Sequence, residues 1–235
     1  MFLCAFIFLV LLIHKGLRGE NKTALQMRLF LNNEEYHRIH NIIIPSSNGT
    51  TQLDHIVISK YGVFIIETKS HKGWIFGDEN QKNWTQVLYK RKFSFQNPLR
   101  QVYRQKKVLS EFLSLDESKI FPIIYFNGKC TIKTYLPDNV ISSGLDTHIR
   151  SYRELIFSDE EIRAITEKID NFKLSSNLRL SDHLRSLERR HNSMVTCPKC
   201  GGKLLKKVAR KGKYAGGEFL GCMNYPRCRF IKNLC

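Results

Sequence analysis

The chain has 235 residues, room for one good hydrophobic core plus a small module, and its 38 Lys and Arg against 21 Asp and Glu give a formal net charge of +17. The surplus is uneven: residues 171–235 hold 15 basic and 3 acidic side chains, so twelve of the seventeen excess charges lie there. That excludes an acidic or balanced surface for this stretch and reads as the footprint of a polyanion-binding module, most often for nucleic acid, with a merely solvated basic tail as the alternative. Of seven cysteines, Cys4, Cys130 and Cys235 are isolated in sequence and give no paired pattern, so no disulfide framework is implied.

Residues 1–13 are uninterrupted apolar side chains followed by His14, Lys15 and Arg18. As a helix they would rise about 20 Å against a hydrocarbon core about 30 Å thick, which predicts a short membrane-associated segment, with a buried N-terminal helix or strand as the alternative. No basic stretch precedes it and no small-x-small site stands before Glu20, so a cleaved signal peptide fits less well. The basic residues after it would keep the body cytoplasmic, anchored at the inner face of the cell membrane.

Between Gly19 and Asn33, Leu25 and Leu29 recur at helical spacing, predicting a helix with Glu20 near its start. Strands follow at Asn41 to Pro45, Leu53 to Ser59 and Val63 to Thr68, the last two joined by a tight turn at Lys60-Tyr61-Gly62. If that turn centres between Lys60 and Tyr61, opposed residues have numbers summing to 121, and Asp54 lies across from Glu67 at the open end of the hairpin.

Glu67 and Lys69 are two apart on a strand and share a face, so a carboxylate and an ammonium stand side by side next to Asp54. A Glu-x-Lys alone is more often a surface ion pair, but after the apolar run Val63 to Ile66 it fits poorly unless it faces a polar site. Two carboxylates can hold a hard cation such as Mg²⁺ or Mn²⁺, and a lysine can orient the attacking water or stabilise charge on a phosphate. His55, pointing to the opposite face, reads as structural, and Trp74 and Trp84 as core or sheet-cover aromatics. His71 and Lys72 follow the strand within reach of a phosphate.

Asn97-Pro98 predicts a helix start, with Asn as cap and Pro at the first position, carried on by the apolar spacing of Leu99, Val102, Tyr103, Leu109, Phe112 and Leu113, and with Gln101 in its first turns. Phe121 to Phe126 reads as a buried strand, and Ser158-Asp-Glu-Glu161 as a capping box opening a helix through about Phe172. Helices and strands alternate, so the class is α/β. The expected layout is an apolar segment over 1–16, a main domain over 17–130, an α/β extension over 131–172, a basic linker or solvated helix over 173–196, and a cysteine module over 197–235.

In that module Cys197-Pro-Lys-Cys200 and Cys222-x5-Cys228 have metal-ligand spacing, and four thiolates satisfy Zn²⁺ tetrahedrally. Gly201-Gly202 leave the chain free to turn around the ion. A disulfide or a redox Cys-x-x-Cys is the alternative. Lys206, Lys207, Arg210, Lys211, Lys213, Arg227 and Arg229, interleaved with Phe219 and Tyr225, are candidate DNA contacts, since cations neutralise phosphates and aromatic faces stack on unpaired bases.

Gly19-Glu20, Gln52-Leu-Asp54-His55, Tyr61-Gly62-Val63, Glu67-Thr-Lys69, Lys72-Gly73 with Gly77, Trp84, and Asn97-Pro98-Leu-Arg-Gln101 together resemble the nuclease-related NERD domain, itself similar to the PD-(D/E)xK restriction-endonuclease-like superfamily. The resemblance covers roughly residues 17 to 130. It implies an α/β/α core around a mixed sheet, a metal site from Asp54 and Glu67, a catalytic Lys69, and supporting roles for Glu20 and Gln101. The superfamily's Pro-Asp step is absent, since Leu53 precedes Asp54. The cysteine module, through Cys197-Pro-Lys-Cys200-Gly-Gly, Gly217-Glu-Phe219-Leu-Gly-Cys222 and Asn224-Tyr225-Pro226-x-Cys228, resembles the zinc-ribbon-like four-cysteine finger of type I DNA topoisomerases, a family whose fingers bind DNA, commonly single strands. A topoisomerase itself needs a large clamp for which 235 residues leave no room.

The expected function is a metal-dependent nuclease hydrolysing phosphodiester bonds of DNA, single-stranded or duplex, with RNA as the other admissible substrate. The competing expectation is a non-catalytic DNA-binding or adaptor protein on the same scaffold.

Overall fold

A computed structural model of the chain describes residues 19–47, 49–176, 178, 180–192, 195–197, 200, 202–209 and 215–234. The apolar segment 1–13 lies outside them, as do Arg210, Lys211, Lys213 and Gly201. Among the described residues, no helix is long and apolar enough to cross a membrane.

The chain divides into two units, residues 1–42 with 52–176, and residues 43–51 with 177–235. The larger is built on a sheet with strand order β1-β2-β3-β7-β9, from β1 (His37–Ser46), β2 (Gly49–Ser59), β3 (Gly62–Lys69), β7 (Ile120–Phe126) and β9 (Val140–Ile141). The β2–β3 ladder is antiparallel and β3–β7 and β7–β9 are parallel, so the sheet is mixed. Val63 to Ile66 are fully buried, as a strand covered on both faces requires. The pairs His55↔Ile66 and Ser59↔Gly62 have the expected sum of 121. Gly62 makes this turn possible twice over: its φ is +135°, and a Cβ there would meet the Phe121 ring at 2.4 Å.

Helix α1 (residues 19–30) covers one face. Its buried stripe differs from the expected one: Leu25 and Leu29 are exposed, and Thr23 and Met27, continued by Leu31, point inward. Thr23 can occupy a core position because its hydroxyl donates to Gly19 O. Met27 and Leu31 pack with Val57, Phe64, Ile66 and Ile123, and with Leu145 and Ile149 of α3 (Leu145–Arg150).

The parallel β3–β7 connection holds β4 (Gly73–Phe76), β5 (Asn83–Leu88) and β6 (Arg91–Gln96), which together with β8 (Cys130–Ile132), placed after β7, form a second sheet of order β6-β5-β4-β8, and then helix α2 (Pro98–Leu113), which packs on β3 and β7. Val102 of α2 joins Ile75, Trp84, Ile124 and Phe126 in a second core cluster. Trp84 is thus a core residue, whereas Trp74 is half exposed with Lys133 Nζ 5.0 Å above its ring. Asn97 caps α2 as its sequence predicts, accepting from Leu99 N at 2.9 Å, and its amide donates to the carbonyls of Asp78, Glu79 and Gln81. Helix α4 (Asp159–Ser175) opens with the expected reciprocal capping box between Ser158 and Glu161.

In the second unit, the stretch expected as a linker or solvated helix contains a helix with buried side chains. Helix α5 (Leu180–Asn192) buries His183 and Ser186. Ser186 Oγ accepts from Thr50 N at 3.0 Å, and His183 Nδ1 lies 2.9 Å from Thr50 Oγ1. The cysteine module is a three-stranded antiparallel sheet of β10 (Leu204–Val208), β11 (Glu218–Cys222) and β12 (Ile231–Asn233).

Candidate functional site

Asp54 on β2 and Glu67 on β3 end up together because the hairpin register puts them at the same level, and both are nearly inaccessible, 9% and 3% exposed. Asp54 Oδ2 accepts from Thr68 N at 3.0 Å, tying it across the ladder. Lys69 returns from the same face as Glu67, with Nζ 2.5 Å from Glu67 Oε1. Two glutamines of α2 complete the shell: Gln101 Oε1 accepts from Lys69 Nζ at 3.0 Å, and Gln105 Nε2 donates to Glu67 Oε2 at 2.8 Å and to Gln52 O at 3.1 Å. Glu20, half-buried on α1, is hydrogen-bonded by the Asn41 side chain.

The sequence reading placed Asp54, Glu67, Lys69, Glu20 and Gln101 here and missed Gln105. Its signal was present. Gln105 sits one turn after Gln101 and on the stripe of Val102 and Leu109, where a polar side chain must have a partner. His55 is structural, as read: 1% exposed, with Nδ1 2.9 Å from His40 Nδ1. His71 stacks on Phe95 and Lys72 is exposed.

Three carboxylates and one ammonium leave the site with excess negative charge in a buried setting. Burial first, then the charges of Glu67 and Glu20, holds the Asp54 carboxyl well above its ordinary value. Burial and the neighbouring Glu67 likewise raise Glu20. Burial alone would lower the Lys69 ammonium, but Glu67, with Asp54 and Glu20, raises it above the ordinary lysine value. Glu20 Oε2 is buried without a hydrogen-bond partner. A donor set of oxygens with surplus negative charge and an unmatched buried acceptor fits a hard divalent cation.

The four sulfurs of Cys197, Cys200, Cys222 and Cys228 all lie within 4.8 Å of one another. Cys197 and Cys228 are 3.7 Å apart, and Cys200 and Cys222 are 3.3 Å apart. A tetrahedral Zn²⁺ with Zn–S near 2.3 Å places sulfurs about 3.8 Å from each other, so the residues fit zinc, while a disulfide needs about 2.05 Å. Among the described residues none of these cysteines is in a disulfide. Backbone turns supply both knuckles: Cys197 N donates to Gly202 O at 2.7 Å and Cys228 N to Asn224 O at 2.8 Å. Asn224 Nδ2 also reaches Cys200 Sγ at 3.6 Å, and a Cβ on Gly202 would meet that amide at 2.6 Å. Burial pushes the Cys222 thiol up to about 11, so a thiolate at that position needs a compensating cation.

On the module's surface Lys207 and Phe219 are directly opposed across β10 and β11, on the face carrying exposed Leu205 and Ile231. Lys206 points to the other face and pairs with Glu218 at 2.7 Å. Tyr225, Arg227 and Arg229 are exposed around the second knuckle.

The model of the nuclease-related domain matches residues 15–127, and that of the topoisomerase DNA-binding C4 zinc finger matches residues 194–235. An uncharacterised protein of Bacillus anthracis is 35% identical over 164 residues, covering 66% of this chain and 75% of that protein. DNA topoisomerase 1 of Helicobacter pylori is 54% identical over 37 residues, which are 16% of this chain and 4% of the enzyme. An uncharacterised Escherichia coli protein is 49% identical over 39 residues, 17% of this chain and 19% of that protein. A crystal structure of a protein of unknown function aligns over 68% of this chain at 14% identity with a TM-score of 0.24, a likeness too slight to carry an argument. The chain belongs to the nuclease-related domain family and carries a topoisomerase-type C4 zinc finger over its last residues.

Proposed function

We propose that the protein is a divalent-metal-dependent nuclease acting on DNA, with its zinc finger holding the strand. The observation that carries this reading is the Lys69 ammonium clamped between Glu67 Oε1 and Gln101 Oε1 beside a second buried carboxylate, Asp54. Mg²⁺ or Mn²⁺ held by Asp54 and Glu67, when bound, would polarise the scissile phosphate and acidify a bound water. Lys69 faces the same space and would orient that water or neutralise charge on the phosphate. Gln105 donates to the second oxygen of Glu67 and would hold that carboxylate in place while its first oxygen accepts from Lys69. Glu20 would accept hydrogen bonds from the cation's waters through its unpartnered oxygen. In the tail, Lys207, Arg227 and Arg229 would neutralise phosphates while Phe219 and Tyr225 stack on bases. Residues 1–13 would fasten the molecule to the inner face of the cell membrane.

The test is cleavage of single-stranded, duplex and branched DNA, and of RNA, by the full chain with Mg²⁺ or Mn²⁺. Activity should vanish in Glu67→Ala and Lys69→Ala. A protein that binds DNA and cuts none of these substrates overturns the reading. One observation favours a non-catalytic scaffold instead: both Glu67 oxygens are already hydrogen-bonded. Absence of Mg²⁺ or Mn²⁺ binding to the larger unit at millimolar concentration would decide for it.

A further inference from the structure

A pocket of about 590 Å³ opens between α1 and the start of β1, lined by Asn21, Arg28, Asn33, His37, Arg38 and His40 among others. Its polar lining is two guanidiniums, two imidazoles, a phenol and two carboxamides, with no carboxylate. The two arginines oppose each other: burial and then the Arg28 charge hold Arg38 below its ordinary value. Arg38 Nη1 donates to Leu31 O at 2.7 Å, and among the described residues neither arginine has an ion pair. Acids stand just outside the lining: Asp170 Oδ2 is 3.9 Å from His37 Nε2, and the Glu35 charge acts on Tyr36. Two guanidiniums gathered in a concavity with no ion pair of their own among the described residues are an anion seat.

The position of the pocket says which anion. Asn21 follows Glu20 on α1, and His40 precedes Asn41, whose side chain bonds Glu20. The pocket therefore adjoins the carboxylate site through the Glu20 end of α1, while His40, 2.9 Å from His55, stands on the face of the sheet opposite Asp54. Glu20 and Arg28 are eight residues apart on α1, about 12 Å along its axis, the axial reach of three or four phosphates of one strand at about 3.4 Å each. The planar forks of Arg28 and Arg38 match phosphate oxygens, and the carboxamides add neutral donors.

We propose that this pocket seats a phosphate of the nucleic-acid strand, three or four positions from the one presented to Asp54, Glu67 and Lys69. The seat rests on the nuclease reading for its biological use, but its occupancy can be measured without cleavage. The phosphate is either internal or the monoester at a strand end, and both have the same chemistry.

The direct test is titration of the zinc-loaded full chain with inorganic phosphate, followed by NMR of the His37 and His40 rings. Their resonances should move with saturation in the wild type and stay still in Arg28→Glu, an exposed position where folding is not at stake. Unmoved rings in the wild type overturn the seat. With oligonucleotide substrates, Arg28→Glu should raise KM tenfold or more with kcat changed less than twofold, and Arg28→Lys should recover most of it. The slope of log affinity against log salt should fall by about one. If the loss appears only for substrates bearing a 5′-phosphate, the seat takes a strand end; if it appears equally for 5′-hydroxyl strands, an internal phosphate. Ring shifts with no cleavage by any form keep the seat and remove the nuclease reading. Cleavage in which Arg28→Glu equals wild type removes the seat alone.

Discussion

Gln105 Nε2 on α2 donates to Glu67 Oε2 on β3 at 2.8 Å, with both residues 3% or less exposed. The bond joins the helix to the strand that carries Lys69, so the site's geometry depends on a helix residue that touches no reacting group. Gln105→Leu should cost about 1–3 kcal/mol in chemical denaturation, because a buried carboxylate oxygen is left without its donor. A change under about 0.5 kcal/mol would show that the contact holds nothing.

The two tryptophans should behave in opposite ways. Trp84 is fully buried against Phe126 and Phe95, and Trp84→Ala should lose about 3–5 kcal/mol. Trp74 is half exposed, and Trp74→Ala should lose less than about 1 kcal/mol. Denaturant midpoints of the two variants measure this, and equal losses would contradict the placement of Trp74.

Acid should weaken the larger unit through His55. Burial, then the charge of His40, lowers the His55 imidazole from 6.5 to about 3, so the fold holds the neutral ring. Its folded value lies below the unfolded one, so the stability is intact above pH 6.5 and is lost as pH falls from 6.5 toward 3. Within that window the slope should approach about 1.4 kcal/mol per pH unit. Comparing His55→Gln with wild type between pH 7 and 4 isolates the contribution, and parallel curves would refute it.

Chelation should unfold the cysteine module. Its buried cluster is Cys197, Leu204, Leu220, Cys222 and Cys228, so three of its five members are candidate metal ligands. A core this small cannot stand without the ion. A strong chelator should release about one Zn²⁺ per chain and abolish the β10–β11–β12 amide protection. Retained protection after complete zinc loss would sink the zinc assignment.

What was legible in the sequence followed from local rules. The hairpin register came from one tight turn, the α2 start from Asn97-Pro98, and the α4 start from Ser158 and Glu161, each set by residues within a few positions. Three features were not legible because they depend on distant partners. Leu25 and Leu29 have the spacing of a buried stripe, yet the buried position is taken by Thr23, whose hydroxyl is satisfied by Gly19 O and lies 3.2 Å from Thr68 Oγ1. Gln105 could be recognised only once Glu67 was across from it. Helix α5 looked like a solvated stretch because its buried side chains, His183 and Ser186, are polar and find their partners about 135 positions earlier.

That last contact changes where the molecule can be cut. Residues 43–51 sit in the middle of the larger unit's sequence yet group with residues 177–235, so the boundary is crossed three times and no single scission separates the parts. The cysteine finger is a portable cassette, recurring at the scale of about forty residues in otherwise different proteins. Helix α5 is not portable. A truncation after Ser176 would strip Thr50 of both His183 and Ser186, whereas one after Asn192 would remove the finger and leave those partners in place. A boundary chosen from the finger match, which starts at residue 194, is therefore the better one for isolating the nuclease-related part.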